Sequence, residues 1–307
     1  MGLIRRGLDD LMKFGDFHGH KTAMLENEFF RIECLAEAGP RIVRLIPTWT
    51  GENLFAEVPD ATTQTSAGEY HYLGGHRFWY APESLSRTYI PDTHGASVRS
   101  IQKGLRLVGI KEHKSGLQKT ITIQISTSKP YIIVRHKLEN HGHSPVRLAP
   151  WAITMLRTKG VAILPQQYGS VDSDGLRPNR KFALWPYTRW DDPRLRLGDE
   201  FVLIKSDSTK HAMKLSYFNP HGWLGYVYND VVFLKRYGVR SDEEYPDYGC
   251  NSEVYANFRA VELESLGPLI ELAPGENVIH TETWEVYKDN EIPKAILGGK
   301  SLKELLG

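Results

Sequence analysis

The chain has 307 residues, 38 of them Lys or Arg and 37 Asp or Glu, for a formal net charge of +1. Such a balance offers no basic field for nucleic acid, and 41% hydrophobic with 24% charged residues describes a globular chain with a sizeable core, not a disordered one. The two cysteines, Cys34 and Cys250, lie far apart and outside any CxxC spacing, so they indicate neither a disulfide framework nor a thiolate zinc site and read as buried thiols in a reducing compartment.

In chain order, the first expected element is a short helix over residues 3–13 (LIRRGLDDLMK) within an N-terminal arm, 1–24. Asp9 and Asp10 fall where a secretory signal needs its apolar run. Arg6 stands where the myristoylation pattern needs Ser or Thr. No apolar stretch approaches the ~20 residues of a membrane span. The expected location is cytoplasmic, with no membrane partner.

Strand patterns then follow one another. The β-rich runs 29–35 and 41–46 flank the turn Glu37-Ala38-Gly39-Pro40, a hairpin signal. Runs 105–110, 119–125 and 131–138 alternate apolar and polar residues, as antiparallel strands with one buried face do. The pattern continues over 201–204, 212–218, 225–228, 231–237 and 278–286, with a tight turn at Asn229-Asp230. A second short helix is expected at 301–306, in a C-terminal tail 289–307. Strands without intervening helices argue against βαβ folds and for an all-β chain: one domain, residues 1–307, built as a large antiparallel β-sandwich. Residues 57–96 and 165–200 read as long irregular segments, and segments of such length within a compact domain are commonly functional.

Both irregular segments are rich in aromatic and charged residues. The first carries His76, Arg77, Trp79 and Glu83; the second carries Trp185 and Tyr187. A sugar ring presents an apolar C–H face and a rim of hydroxyls, so it is met by flat aromatics and charged or amide groups together. Residues 71–83 and 185–192 are therefore expected to line one cleft. In a third segment, a strand over 260–264 puts Glu262 and Glu264 on one face and Val261 and Leu263 on the other.

The segment VELESLGPLIELAPGENVIHTETWEV resembles the closing strands of the galactose mutarotase-like (aldose 1-epimerase) superfamily, and FFRIECLAEAGPRIVRLIPTWTGENLF resembles its opening hairpin. ENHGHSPVRLAPWAITM is similar to its middle strand pair. The resemblance covers residues 25–288. It implies the superfamily's sandwich fold and a carbohydrate ligand, either a small-molecule sugar or an oligosaccharide. Enzymes of the superfamily interconvert sugar anomers with a Glu base and a His acid, and by motif position Glu264 matches the base. Trp151 occupies the place of the acid histidine. Leu73 takes that of a second histidine, with His76 displaced to the other side of Gly74-Gly75. His76, Arg77 or Glu83 is the expected replacement acid, and Trp151 is an alternative stacking platform. The expected site is thus Glu264 and His76 as catalytic groups, with Arg77, Trp79, Glu83, Trp151, Trp185, Tyr187 and Glu262 binding substrate.

No cofactor motif is present, neither a Gly-rich phosphate loop nor an HExxH sequence, and no metal site is expected. His18-Gly19-His20 and His141-Gly142-His143 have the spacing of paired metal ligands but lack a third partner and read as solvated. Lys214, Lys235 and Arg236 are cations that a sugar phosphate or uronate carboxylate would pair with, but on alternating strands they read as solvated. Three functions stay open: an aldose 1-epimerase-like isomerase, a non-catalytic carbohydrate-binding or sensing protein, and a polysaccharide lyase or hydrolase built on the same scaffold.

Overall fold

The computed structural model of the protein describes residues 12–206 and 211–306. Its strands in chain order are β1 (Lys13–Phe17), β2 (His20–Glu26), β3 (Phe30–Leu35), β4 (Arg41–Pro47), β5 (Glu57–Thr65), β6 (Gly68–Gly74), β7 (His76–Ala81) and β8 (Ser97–Ile101). There follow β9 (Gly104–Lys111), β10 (Leu117–Ile125), β11 (Tyr131–Asn140), β12 (Val146–Leu156), β13 (Val161–Pro165), β14 (Phe182–Leu184), β15 (Leu195–Leu197) and β16 (Phe201–Lys205). The last are β17 (Met213–Tyr217), β18 (Trp223–Tyr228), β19 (Val231–Tyr237), β20 (Ser252–Ala256), β21 (Val261–Leu266), β22 (Ile270–Leu272) and β23 (Asn277–Lys288).

Two large sheets result. The first runs β1-β2-β3-β4-β7-β12-β21-β20-β17-β14, with β22 paired to β12; the second runs β15-β16-β13-β18-β19-β23-β11-β10-β9-β8. The β5-β6 hairpin stands apart. Neighbours within each sheet are antiparallel, including the central β7-β12-β21-β20-β17 series that carries the site. One apolar cluster joins the inner faces, drawing Leu45, Phe78 and Leu263 from the first sheet and Ile123, Phe233 and Trp284 from the second. This is an antiparallel β-sandwich, as the strand pattern predicts.

The hairpin expectations hold: β3 pairs with β4, and Tyr228 faces Val231 across a turn in which Asn229 adopts φ +51°. The expected helix at 301–306 corresponds to a helix at Leu302–Leu306, whose Leu302 and Leu305 pack with Phe201 and Trp223 on the outer face of the second sheet. Of the helix expected at 3–13, residues 3–11 lie outside the described residues, and Lys13 instead begins β1, which pairs with β2 at the edge of the first sheet. Residues 57–81 are not irregular but form β5, β6 and β7. Strand β7 is buried on both faces, which erases the polar-apolar alternation by which a strand is recognised. Among the described residues no helix is long and apolar enough to cross a membrane.

The sandwich interior holds a polar cluster. Lys235, expected to be solvated, is fully buried and donates to the carbonyls of Ala152 (2.8 Å) and Leu263 (2.9 Å) while pairing with Glu282 at 3.0 Å. Burial is the largest single influence and would raise Glu282, but Lys235 and the polar groups around it together hold the carboxyl below its ordinary range. Around this pair His136 and His280 are pushed down to about 4 and about 3 by burial, so both are neutral at physiological pH.

Candidate functional site

Strand alternation builds the site. On β7, His76, Phe78 and Tyr80 point into the sandwich, so Arg77 and Trp79 point out of it. The register carries that outer face across the sheet. Trp79 pairs with Trp151 and Arg77 with Ile153 on β12; Ile153 pairs with Glu264 and Met155 with Glu262 on β21; Glu264 pairs with Glu253 on β20; and Lys214 on β17 pairs with Tyr255. Over this face lies a cavity of about 440 Å³, within the range of small-molecule sites. Its walls rise from the β5-β6 hairpin, the segment after β7 with Glu83 and Tyr89, the segment with Trp185 and Tyr187, and the β20-β21 turn with Arg259.

Eight of the nine expected site residues thus meet: Arg77, Trp79, Glu83, Trp151, Trp185, Tyr187, Glu262 and Glu264 all line this cavity. Residues 71–83 and 185–192 do share a cleft. His76 does not join them. Adjacent strand residues face opposite ways, and His76 lies inside the sandwich, fully buried, with Nε2 2.7 Å from His136 Nε2 and Nδ1 2.9 Å from Thr154 Oγ1. Burial holds its imidazole well below the ordinary range. It reaches no ligand in the cavity.

At the cavity floor Glu264 is fully buried. Its Oε2 accepts from Trp151 Nε1 at 2.8 Å and from Lys214 Nζ at 2.9 Å, whereas its Oε1 is buried with no partner. Lys214 also lies 2.5 Å from Glu253 Oε2 and is clamped between two rings, its ammonium 4.7 Å from the Trp151 centroid and 4.6 Å from that of Trp185. Burial would depress Lys214, but Glu253 and Glu264 outweigh it and hold the ammonium above its usual range. Burial drives Glu253 well above the carboxylate range, an effect Lys214 offsets only in part. Beside this cluster Arg77 grips Glu262 with both terminal nitrogens, at 3.0 and 3.2 Å, and lies 4.2 Å from the Trp79 ring centroid. Glu262 is raised by burial despite Arg77.

Lys214 and Glu253 are the residues that sequence reasoning misses. The run of residues 213–217 (MKLSY) turns Met213, Leu215 and Tyr217 inward and Lys214 outward, by the same alternation that groups Glu262 with Glu264. What the run does not reveal is that its outer face is covered by the segment carrying Trp185 and Tyr187 instead of water.

No family model matches the sequence, and neither does any curated protein. Solved structures do match. A TPR-domain containing protein from Parabacteroides distasonis superposes with TM-score 0.59 at 14% identity, over 87% of this chain and 47% of that one. A proposed aldose 1-epimerase from Klebsiella pneumoniae matches with TM-score 0.57 at 11% identity, over 95% and 86% of the two chains. A galactose mutarotase-like protein from Lactobacillus casei matches with TM-score 0.50 at 11% identity, over 87% and 100%. The chain has the galactose mutarotase-like fold. It spans about half of the Parabacteroides protein and most or all of the other two. Within the galactose mutarotase-like fold, the two places where the sequence resemblance expects histidines carry no proton donor of that kind. Trp151 instead binds Glu264, and Leu73, at φ +58°, packs against Phe17, Leu35 and Val43.

Proposed function

We propose that the 440 Å³ cavity takes the ring of an uncharged sugar and that Glu264 and Lys214 act together at its anomeric centre. The observation that carries this reading is the divided state of Glu264: Oε2 is committed to Trp151 and Lys214, while Oε1, buried at the cavity floor, has no donor. A buried carboxylate oxygen without a donor is costly, and a sugar hydroxyl is the donor such a place fits. Trp79, Trp151 and Trp185 line the cavity, an aromatic lining suited to the C–H side of the ring.

For anomer interconversion, Glu264 takes the proton of the anomeric hydroxyl as the ring C–O bond breaks, and Lys214 gives a proton to the departing ring oxygen. Reclosure on the other face returns both protons. A second reading, a binder that turns nothing over, is favoured by one fact. Lys214 is held above its ordinary range by Glu253 and Glu264, which makes it a reluctant acid.

The charge pattern supports an uncharged ligand. Arg77 is paired with Glu262, Lys214 with Glu253 and Glu264, and Arg259 with Asp60, so each of these cations already has its carboxylate. A panel of neutral aldoses screened by thermal shift, followed by calorimetric titration, tests this. At least one aldose should bind, and its uronic acid or 6-phosphate should bind about tenfold more weakly or worse. Preference for the anionic sugars would overturn the assignment of substrate class, and no binding by any of them would overturn the sugar reading itself.

A further inference from the structure

The turn His141-Gly142-His143 helps line a second cavity, of about 680 Å³, enclosed by the segment after β7 and by the β9-β10 and β11-β12 turns. We propose that this cavity is a binding site for a small oxyanion of the phosphate class, free or carried as a monoester. Its lining includes Arg87, Lys111, Lys114, His113, His141 and His143. Among the described residues no carboxylate stands within ion-pair distance of Arg87, Lys111 or Lys114, and the Lys114 ammonium bonds only Ser66. On a chain whose charges otherwise nearly cancel, three unpaired cations around one concavity focus positive potential into it.

The single acid of the lining does not counter that potential. Glu112 is buried and engaged with Lys119 at 2.6 Å, Ser115 Oγ at 2.5 Å and Tyr80 Oη at 3.3 Å. Arg, Lys and imidazole N–H groups are donors, and a phosphate oxyanion is an acceptor on every side, so the lining and the ligand are complementary in hydrogen bonding as well as in charge.

The frame is also preformed. A Cβ on Gly116 would fall 2.6 Å from Gly142 Cα, so the two turns touch backbone to backbone. Asn140 fixes the second turn, accepting from Gly142 N at 2.9 Å and donating to the carbonyls of Ser144 (2.9 Å) and Leu272 (2.8 Å). Little ordering is then required on binding. The site is distinct from the first cavity: Ser86, Arg87 and Ile90 face the second, whereas Glu83 and Tyr89 of the same segment face the first.

Calorimetric titration of the full chain with inorganic phosphate and with phenyl phosphate, at neutral pH and with ionic strength held constant by KCl, tests the proposal. Saturable one-site binding is expected, weakened about tenfold or more in the double variant R87Q/H143Q and unchanged in E264Q. Tighter binding of phenyl phosphate assigns the site to monoesters, and equal or tighter binding of inorganic phosphate assigns it to the free anion; either supports the site. Should the double variant fold poorly by circular dichroism, K114M, on the exposed turn, is expected to weaken binding about threefold. Failure to saturate by about 20 mM, or affinities that ignore these substitutions, would overturn it.

Discussion

At the scale of single residues, the site is a buried polar cluster in which one ammonium bridges two glutamates. Removing Lys214 would leave Glu253 and Glu264 buried without their cation, and breaking such a pair from one side is far more costly than never having built it. The variant K214M is expected to lose about 3–5 kcal/mol of stability in urea titrations, and K214M/E253Q should recover part of that loss. Stability equal to the parent would contradict the cluster. Glu264 itself is legible in the sequence, because Val261 and Leu263 claim one face of the strand and leave the other to Glu262 and Glu264. His76 is the counterexample: the alternation rule that groups those two glutamates also separates His76 from Arg77, but the rule applies only once residues 76–81 are recognised as strand. With both faces covered by aromatic and apolar side chains, that run carries no alternation to reveal it.

At the scale of elements, β7 owes its placement to the bend before it. Gly75 adopts φ +69°, and a Cβ there would lie 2.2 Å from the Ile42 carbonyl oxygen and 2.7 Å from Val43 Cα. Both obstacles are backbone and cannot rotate away. The variant G75A is therefore expected to lose about 2–4 kcal/mol in a denaturant titration, and a neutral result would mean that the close approach of β4 to this bend is wrong. Elements with one wet face, such as β10, β11 and β23, are legible because polar and apolar residues alternate along them. The segment between β13 and β16 is less so, since its two strands span three residues each and no periodicity emerges over such a length. The gathering of its Trp185 and Tyr187 with the 71–83 segment is nonetheless foreshadowed by composition, because both mix aromatics with charge.

At the scale of the whole molecule, one apolar cluster is shared by both sheets, so unfolding is expected as a single cooperative transition in calorimetry; two resolved transitions would contradict that. The polar cluster inside the sandwich sets the response to acid. His76, His136 and His280 are held neutral by burial, their folded-state values lying below that of an unfolded histidine. The unfolded chain then binds more protons than the native one, so this contribution is complete above pH ~6.5 and is lost as pH falls below it, by about 1.4 kcal/mol per histidine per pH unit. Glu253 and Glu262, held above the carboxylate range, titrate in the opposite sense and offset part of the loss. Melting temperature should fall between pH 7 and pH 5, and H280Q should flatten that slope; an unchanged slope would mean that His280 is not buried neutral.

The central claim, that Glu264 works on the anomeric centre of a sugar in the first cavity, is tested most directly by exchange NMR on an equilibrium mixture of α and β anomers of an aldose the protein binds. The parent chain should accelerate exchange over buffer. The variant E264Q keeps shape and loses the base, so it should lose about 10²-fold or more of that rate while its affinity stays within about threefold. Equal exchange rates for the two proteins would contradict the claim.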